Sequence, residues 1–297
     1  MKRTVAYKKR RLKENLVSYL FITPWLLVFG IFVAYPFIYG FVISLFDFDL
    51  VKQTFVGLGN YKNLFSDEMF INSVWATLKM CAIIIPGTII FSLWVANTIH
   101  NRRKSMQSFT KVVFYLSAIV SEVALVIVWQ WMFNPGYGLS ATITDALGVP
   151  RIDWLGDVNY ALPLVSYLVL AFTVSQPIIL YSAAFNNIPD TYYEAARIDG
   201  ASPWRQFTKI TLPLIKPTTT FVLITTTIGS LQVFMVPYLL TAGGPNNGTT
   251  SILLMIYRNA FEYSKYGYAA AMGVILFIII AIFAFFQFRL TKSDVQY

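Results

Sequence analysis

Charge, histidine and cysteine are all scarce in this sequence. Only 12% of its 297 residues are Asp, Glu, Lys or Arg, while 57% are hydrophobic and 17% aromatic, and such proportions fall outside the range of soluble domains. A single cysteine, Cys81, and a single histidine, His100, leave no disulfide framework, no metal cluster and little material for His-based catalysis. No Gly-rich phosphate loop ending in Gly-Lys-Ser or Gly-Lys-Thr is present, so the chain cannot cradle a nucleotide by the usual route. With no nucleophile–base pair and no cofactor loop, the expectation is a protein that is not an enzyme and has neither a metal nor a cofactor of its own.

What remains is a series of long apolar runs. A basic stretch, residues 1–15, precedes the first, and a single transmembrane domain over 16–297 accounts for the rest. Spans are expected at about 16–45, 73–98, 112–133, 161–185, 212–240 and 267–288, each long enough to cross a bilayer. The first run is too long for a signal-peptide core and lacks a small-residue cleavage site. Pro24 and Pro36 should kink or divide span one, and Pro86-Gly87 should break span two. The net charge of +9 lies between spans, where lipid headgroups and topology explain it better than nucleic acid does. With alternating sides, seventeen basic residues fall in segments assigned to the cytoplasm and five outside, as the positive-inside rule requires. The fold expected is therefore an all-α membrane protein with six transmembrane helices and both termini cytoplasmic.

One polar island, 188–211, interrupts the apolar pattern on the cytoplasmic side. Thr191 and Glu194 have capping-box spacing, predicting a short helix from Thr191. Gly200 should end it. Ser202-Pro203 is a second helix start. Ala195, Ala196 and Ala201 give a small-residue face beside Glu194, Arg197 and Asp199, suited to close approach by another surface.

The order Glu194-Ala195-Ala196, Gly200, Ile210 and Leu212-Pro213 resembles the EAA loop of permease subunits of binding-protein-dependent ABC importers. Asp199-Gly200-Ala201-Ser202 and Leu212-Pro213-Leu214 resemble its carbohydrate-uptake branch, the maltose-type permeases. The segments GLGNYKNLF, ALGVPRIDWLGDVNYALP, LLTAGGP and GYAAAMGVILF extend the resemblance over nearly the whole chain. It implies a type I importer permease fold in a bacterial or archaeal cytoplasmic membrane. It also implies a second homologous permease forming a heterodimer, two ATPase subunits that bind ATP and Mg, an external solute-binding protein, and a sugar of oligosaccharide size as substrate. Glu194, Ala195, Ala196, Asp199, Gly200 and Ala201 would then form the coupling helix that enters a groove of an ATPase subunit. The outer loop at Gly243-Gly244-Pro245 would meet the binding protein.

Within the spans, Glu122 is the sharpest polar signal, because a mid-membrane carboxylate faces a cavity or a partner. Either a substrate-facing role or an ion pair, with Lys79 or the second permease, accounts for it. Thr173, Ser175 and Gln176 on span four and Thr226, Ser230 and Gln232 on span five could bond sugar hydroxyls; helix–helix hydrogen bonding is the competing account. Gln130 with Trp129 and Trp131 reads as an interfacial belt or as an entry guide. Two rival functions stand beside the sugar importer: a permease of the same superfamily for a nonsugar solute, and an ion-coupled secondary transporter using Glu122.

Overall fold

The computed structural model describes residues 19–49, 51–100 and 102–291. The basic stretch at 1–15 and Lys292 lie outside the described residues. Helix α1, Tyr19–Ile43, is continuous. Pro36 does not divide it: a π-turn at Gly30–Ala34, with Tyr35 N donating to the Gly30 carbonyl, lies just before the proline, a local widening of the helix of the kind that accommodates such a residue. Pro24 is likewise carried within the helix. α1 leans on the last helix through edge-to-face contacts of Phe37 and Phe41 with Phe277.

A short antiparallel hairpin follows, β1 (Phe46–Phe48) and β2 (Gln53–Phe55), with Asp47 opposite Thr54. It is the one departure from helix among the described residues that has regular structure. The GLGNYKNLF segment then forms α2, Gly59–Ser66, where a turn-rich loop was expected. Its Asn60 explains the motif physically. The buried Asn60 amide donates to the Ser44 and Phe46 carbonyls at 2.9 and 2.8 Å, while Tyr61 hydroxyl meets Ser44 Oγ at 2.6 Å, so the end of α1 is tied down.

Helix α3, Glu68–His100, is the longest at 33 residues, about 50 Å by helical rise. Asp67 caps it, accepting from Met69 N at 2.9 Å, and holds Tyr268 hydroxyl on its other oxygen at 2.8 Å. The break expected at Pro86-Gly87 does not occur. α3 is packed along its length, with buried residues in all four apolar clusters among the described residues, and tertiary packing overrides the local cost of one proline. Gly87 serves that packing, since a β-carbon there would collide with the Leu170 side chain.

The next three spans are interrupted. α4 (Lys104–Ile119) and α5 (Glu122–Met132) meet at a bend of 93°. α6, Leu139–Ala146, lies in the segment between α5 and α7. α7 (Val158–Thr173) and α8 (Ser175–Asn186) meet at 47°. The island supplies α9 (Asp190–Ile198) and α10 (Pro203–Gln206), the latter continuing through a π-turn at Phe207–Thr211 and a turn at Leu212–Leu214. The stretch expected as one span at 212–240 is divided: α11 covers Lys216–Leu231, the backbone leaves the helix at 232–234, and a π-turn covers Pro237–Thr241. α12, Ile252–Tyr257, and α13, Tyr266–Thr291, complete the chain. Among the described residues three helices are long and apolar enough to cross a membrane, and five segments are if each bent pair is one span. The GYAAAMG motif that opens α13 is a close-packing device: Gly267 abuts the Phe46 carbonyl, and Ala269, Ala271 and Met272 are buried.

Gly87→Ile should therefore destabilise the protein by about 1–3 kcal/mol through overpacking. Thermal unfolding in detergent checks this; a melting temperature equal to that of the parent would show that the α3–α7 approach is not tight.

The coupling island and the candidate path

The island folds around its glycine. Gly200 takes φ +71°, which L side chains rarely adopt. Ala201 N donates to the Ala196 carbonyl at 2.8 Å and Gly200 N to that of Arg197 at 3.1 Å, the two bonds of a Schellman cap. Ser202 starts α10 as expected, its Oγ accepting from Arg205 N at 3.4 Å. Thr191 does not start α9. The helix begins one residue earlier, at Asp190, with Pro189 in the N-cap position and no side-chain cap; the proline fixes φ for the turn, and the Asp190 carboxylate complements the helix dipole. Tyr193 hydroxyl meets Thr211 Oγ1 at 2.8 Å and Gln206 Nε2 donates to the Ala201 carbonyl at 2.9 Å, so the island holds one shape.

Its outer surface is available. Glu194, Ala195, Asp199 and Gly200 are exposed, while Ala196 and Ala201 are half-buried at the turn. Ile198 is 87% exposed and Trp204 73% exposed; the sequence reading passed over both. Two large apolar residues inside a polar loop were the available signal, since such exposure marks a docking surface.

The predicted path residues divide into two groups. Glu122 is exposed in the first turn of α5, immediately after the bend, rather than in the middle of a helix. Among the described residues it forms no ion pair with Lys79, which is itself exposed. Gln176 is exposed in the first turn of α8, beside the Val174 bend. Gln232 is exposed at the C-cap of α11, where the backbone leaves the helix. Thus each of the three breaks presents at least one exposed polar side chain, with Ser121 beside Glu122 at the first.

The second group is structural in its bonding. Thr173 Oγ1 meets Thr88 Oγ1 at 3.1 Å, tying α7 to α3. Ser175 is buried and bonds Ser117 Oγ at 2.7 Å and the Phe114 carbonyl at 2.9 Å, tying α8 to α4. Thr226 and Ser230 lie inside the packing, 7% and 1% exposed, and Ser230 donates to the Thr227 carbonyl at 3.1 Å. α5, α7 and the 233–240 segment share one apolar cluster, including Val126, Val165, Leu168, Val233, Val236 and Leu240, so the broken elements pack on one another. In the last turn of α5, Trp129 stacks on Phe133 at 5.9 Å, Trp131 is exposed and so is Gln130.

Two connecting loops are rigidly built. Arg151 forms a two-pronged pair with Asp145 at 2.9 and 2.6 Å and donates to the Gly136 carbonyl at 3.2 Å. After LLTAGGP, Thr249 Oγ1 bonds the Gly244 carbonyl at 2.7 Å and Thr250 Oγ1 that of Gly243 at 3.1 Å. No group of three or more His, Cys, Asp or Glu side chains able to hold a metal occurs among the described residues. The arrangement offers hydrogen bonds, apolar walls and an exposed apolar patch on the island.

These features define a helical protein with membrane-spanning candidates and one structured polar island. Residues 88–293 match the family described as binding-protein-dependent transport system inner membrane component. The multiple sugar-binding transport system permease protein MsmF of Streptococcus mutans is 32% identical over 96% of this chain and 98% of its own. The sn-glycerol-3-phosphate transport system permease protein UgpA of Salmonella typhimurium is also 32% identical, over 96% of this chain and 97% of its own. A chain of the bacterial alginate ABC transporter, solved in complex with an alginate pentasaccharide-bound periplasmic protein, superposes with a TM-score of 0.85 at 23% identity, covering 96% of this chain and 99% of that one. The chain belongs to the family of inner membrane components of binding-protein-dependent transport systems. That membership displaces the reading of an ion-coupled carrier built on Glu122.

The Asp145–Arg151 pair gives a pH-dependent expectation. The Arg151 guanidinium holds the Asp145 carboxyl below its usual range, so the clamp is complete at neutral pH and is lost only as the pH falls through that lowered value. Asp145→Asn should speed amide hydrogen exchange across 134–149 by about threefold or more at pH 7, with less difference from the parent in strong acid. Identical exchange at pH 7 would show that the clamp does not order this loop.

Proposed function

We propose that this chain is one permease subunit of an ABC importer for a sugar of oligosaccharide size. In this reading it crosses the membrane six times, with α11 and the 235–241 segment together as the fifth crossing, and both termini face the cytoplasm. A second, homologous permease completes the path as a heterodimer. Two ATPase subunits bind ATP and Mg, and an external solute-binding protein delivers the substrate, in the cytoplasmic membrane of a bacterium or archaeon. The positive-inside count supports the orientation, and the printed functions of MsmF and of the alginate transporter support the substrate class.

The observation that carries the reading is the island: a rigid, glycine-capped helix pair with Glu194, Ala195, Asp199 and Gly200 exposed beside protruding Ile198 and Trp204. Small side chains allow close approach to an ATPase groove, Glu194 offers a charge, and the two apolar residues supply area to bury. Closure of the ATPase pair moves the island, and the three broken spans transmit that motion to a path lined by Glu122, Gln176 and Gln232. Thr173 ties α7 to α3, while Thr226 and Ser230 are buried in the packing around α11. Discontinuous helices are suited to this role, because non-helical backbone at membrane depth is tolerated where it is buried in protein or lines a cavity.

UgpA favours a second reading, a phosphorylated nonsugar solute as cargo. Binding of an oligosaccharide by the cognate external protein distinguishes the two.

ATP-dependent sugar uptake in proteoliposomes holding the full assembly tests the coupling role. Glu194→Lys and Gly200→Pro should each lower uptake and binding-protein-stimulated ATP hydrolysis by about tenfold or more, consistent with one lost charged or backbone-fixing contact at an interface hot spot. Unchanged uptake in both variants, at equal membrane insertion, would reject it.

A further inference from the structure

Helix α9 has two working faces. Ile198 projects from one, and the other borders a cavity of about 670 Å³ between the last turns of α3, the end of α8 and the island. That volume lies in the usual range for small-molecule sites, about 300–1,000 Å³. Its two ends differ in chemistry. Ile90, Leu93 and Trp94 line one end, and Ile90 and Trp94 are 67% and 61% exposed, so the cavity opens through the flank of a membrane helix. Asp190, Tyr193 and Arg197 line the other, at the spacing that puts three residues on one helix face.

Asp190 and Arg197 form no ion pair with each other or with another side chain among the described residues. The one bond of the Arg197 side chain is Nε to the Tyr193 carbonyl at 3.3 Å, which leaves its terminal nitrogens for an anion. Asp190 lines the cavity together with the aromatic residues Tyr193 and Trp204, a combination that suits an organic cation. His100 Nδ1 is buried without a hydrogen-bond partner, its ring packed near Phe185 and Tyr193. A ligand matching this lining is apolar at one end and carries both a positive and a negative group at the other. Ile90 to His100 spans about 15 Å along the helix, from the apolar part of α3 to its charged end.

We propose that this cavity binds a zwitterionic phospholipid of the ethanolamine class, with its phosphate on Arg197, its ammonium on Asp190 and the start of its chains along Ile90, Leu93 and Trp94. A soluble metabolite would leave the membrane-facing end unfilled, and a purely anionic lipid would leave Asp190 without a partner. Because the lipid occupies the inner face of α9, it braces the island from behind; that consequence, unlike the site itself, rests on the coupling role proposed above.

The test is extraction and mass spectrometry of lipid retained by the complete importer purified in mild detergent, comparing the parent with Leu93→Trp, which fills the apolar end, and Arg197→Gln, which removes the anion partner. Phosphatidylethanolamine retained per complex should fall about tenfold in each, the factor given by one lost charge-assisted bond or an equivalent steric block, at unchanged assembly yield. Equal retention in all three proteins, or retention of phosphatidylglycerol alone, would overturn the assignment. Binding-protein-stimulated ATP hydrolysis in nanodiscs of phosphatidylethanolamine with phosphatidylglycerol, against phosphatidylglycerol alone, reads the brace separately: a lower rate in the second supports it, and equal rates remove the brace while retention decides the site.

Discussion

Everything in this fold leans on the packing of one helix. α3 runs for 33 residues and places buried side chains in each of the four apolar clusters. It carries a proline without breaking, because neighbours on several sides hold it and Gly87 admits Leu170 at close range. Inside a bilayer, lipid is as apolar as leucine, so close packing and interhelical hydrogen bonds must hold helices together. α3 supplies both, with Thr88 to Thr173 toward α7 and with Thr77 Oγ1 accepting from Ile252 N at 3.0 Å toward α12.

A rigid central helix allows its neighbours to be discontinuous. The bends at 120–121 and Val174 and the gap at 232–234 free backbone groups that an apolar solvent could not satisfy, and each of these breaks presents at least one exposed polar side chain. Buried hydroxyls such as Ser175 and Ser230 act differently, bonding backbone and neighbouring helices. The division separates polar groups that bind the protein to itself from those free to meet a solute. The island is held by a glycine cap and by the Tyr193–Thr211 bond, so in the coupling role proposed above it moves as a body rather than as a loop.

Much of this was legible in the sequence where local chemistry is strong. Gly200 and Ser202 mark real helix ends, and the small residues that open α13 mark a real close approach. The misreadings have physical causes. Pro86 suggested a break because a proline is costly in an isolated helix, and nothing local reveals that α3 is clasped by its neighbours. The bend before Glu122 has neither Gly nor Pro within Ala118-Ile119-Val120-Ser121, so Glu122 was placed mid-span. Thr191 looked like a cap until Pro189 took the position. Periodicity could not sort the polar residues of spans four and five by face, since Thr226 and Gln232 differ in exposure only through the tertiary contacts of α11 and the gap that follows it.

The claim that the breaks, rather than the buried hydroxyls, form the path is open to a direct measurement. Sugar transport kinetics in proteoliposomes would be compared for Glu122→Ala, Gln176→Ala and Gln232→Ala against Thr226→Ala and Ser230→Ala. The account predicts that the first three raise the KM or lower the turnover for sugar by about tenfold each with thermal stability unchanged, while the last two alter stability with little effect on transport. Transport defects confined to Thr226→Ala and Ser230→Ala, or absent from the first three, would contradict it.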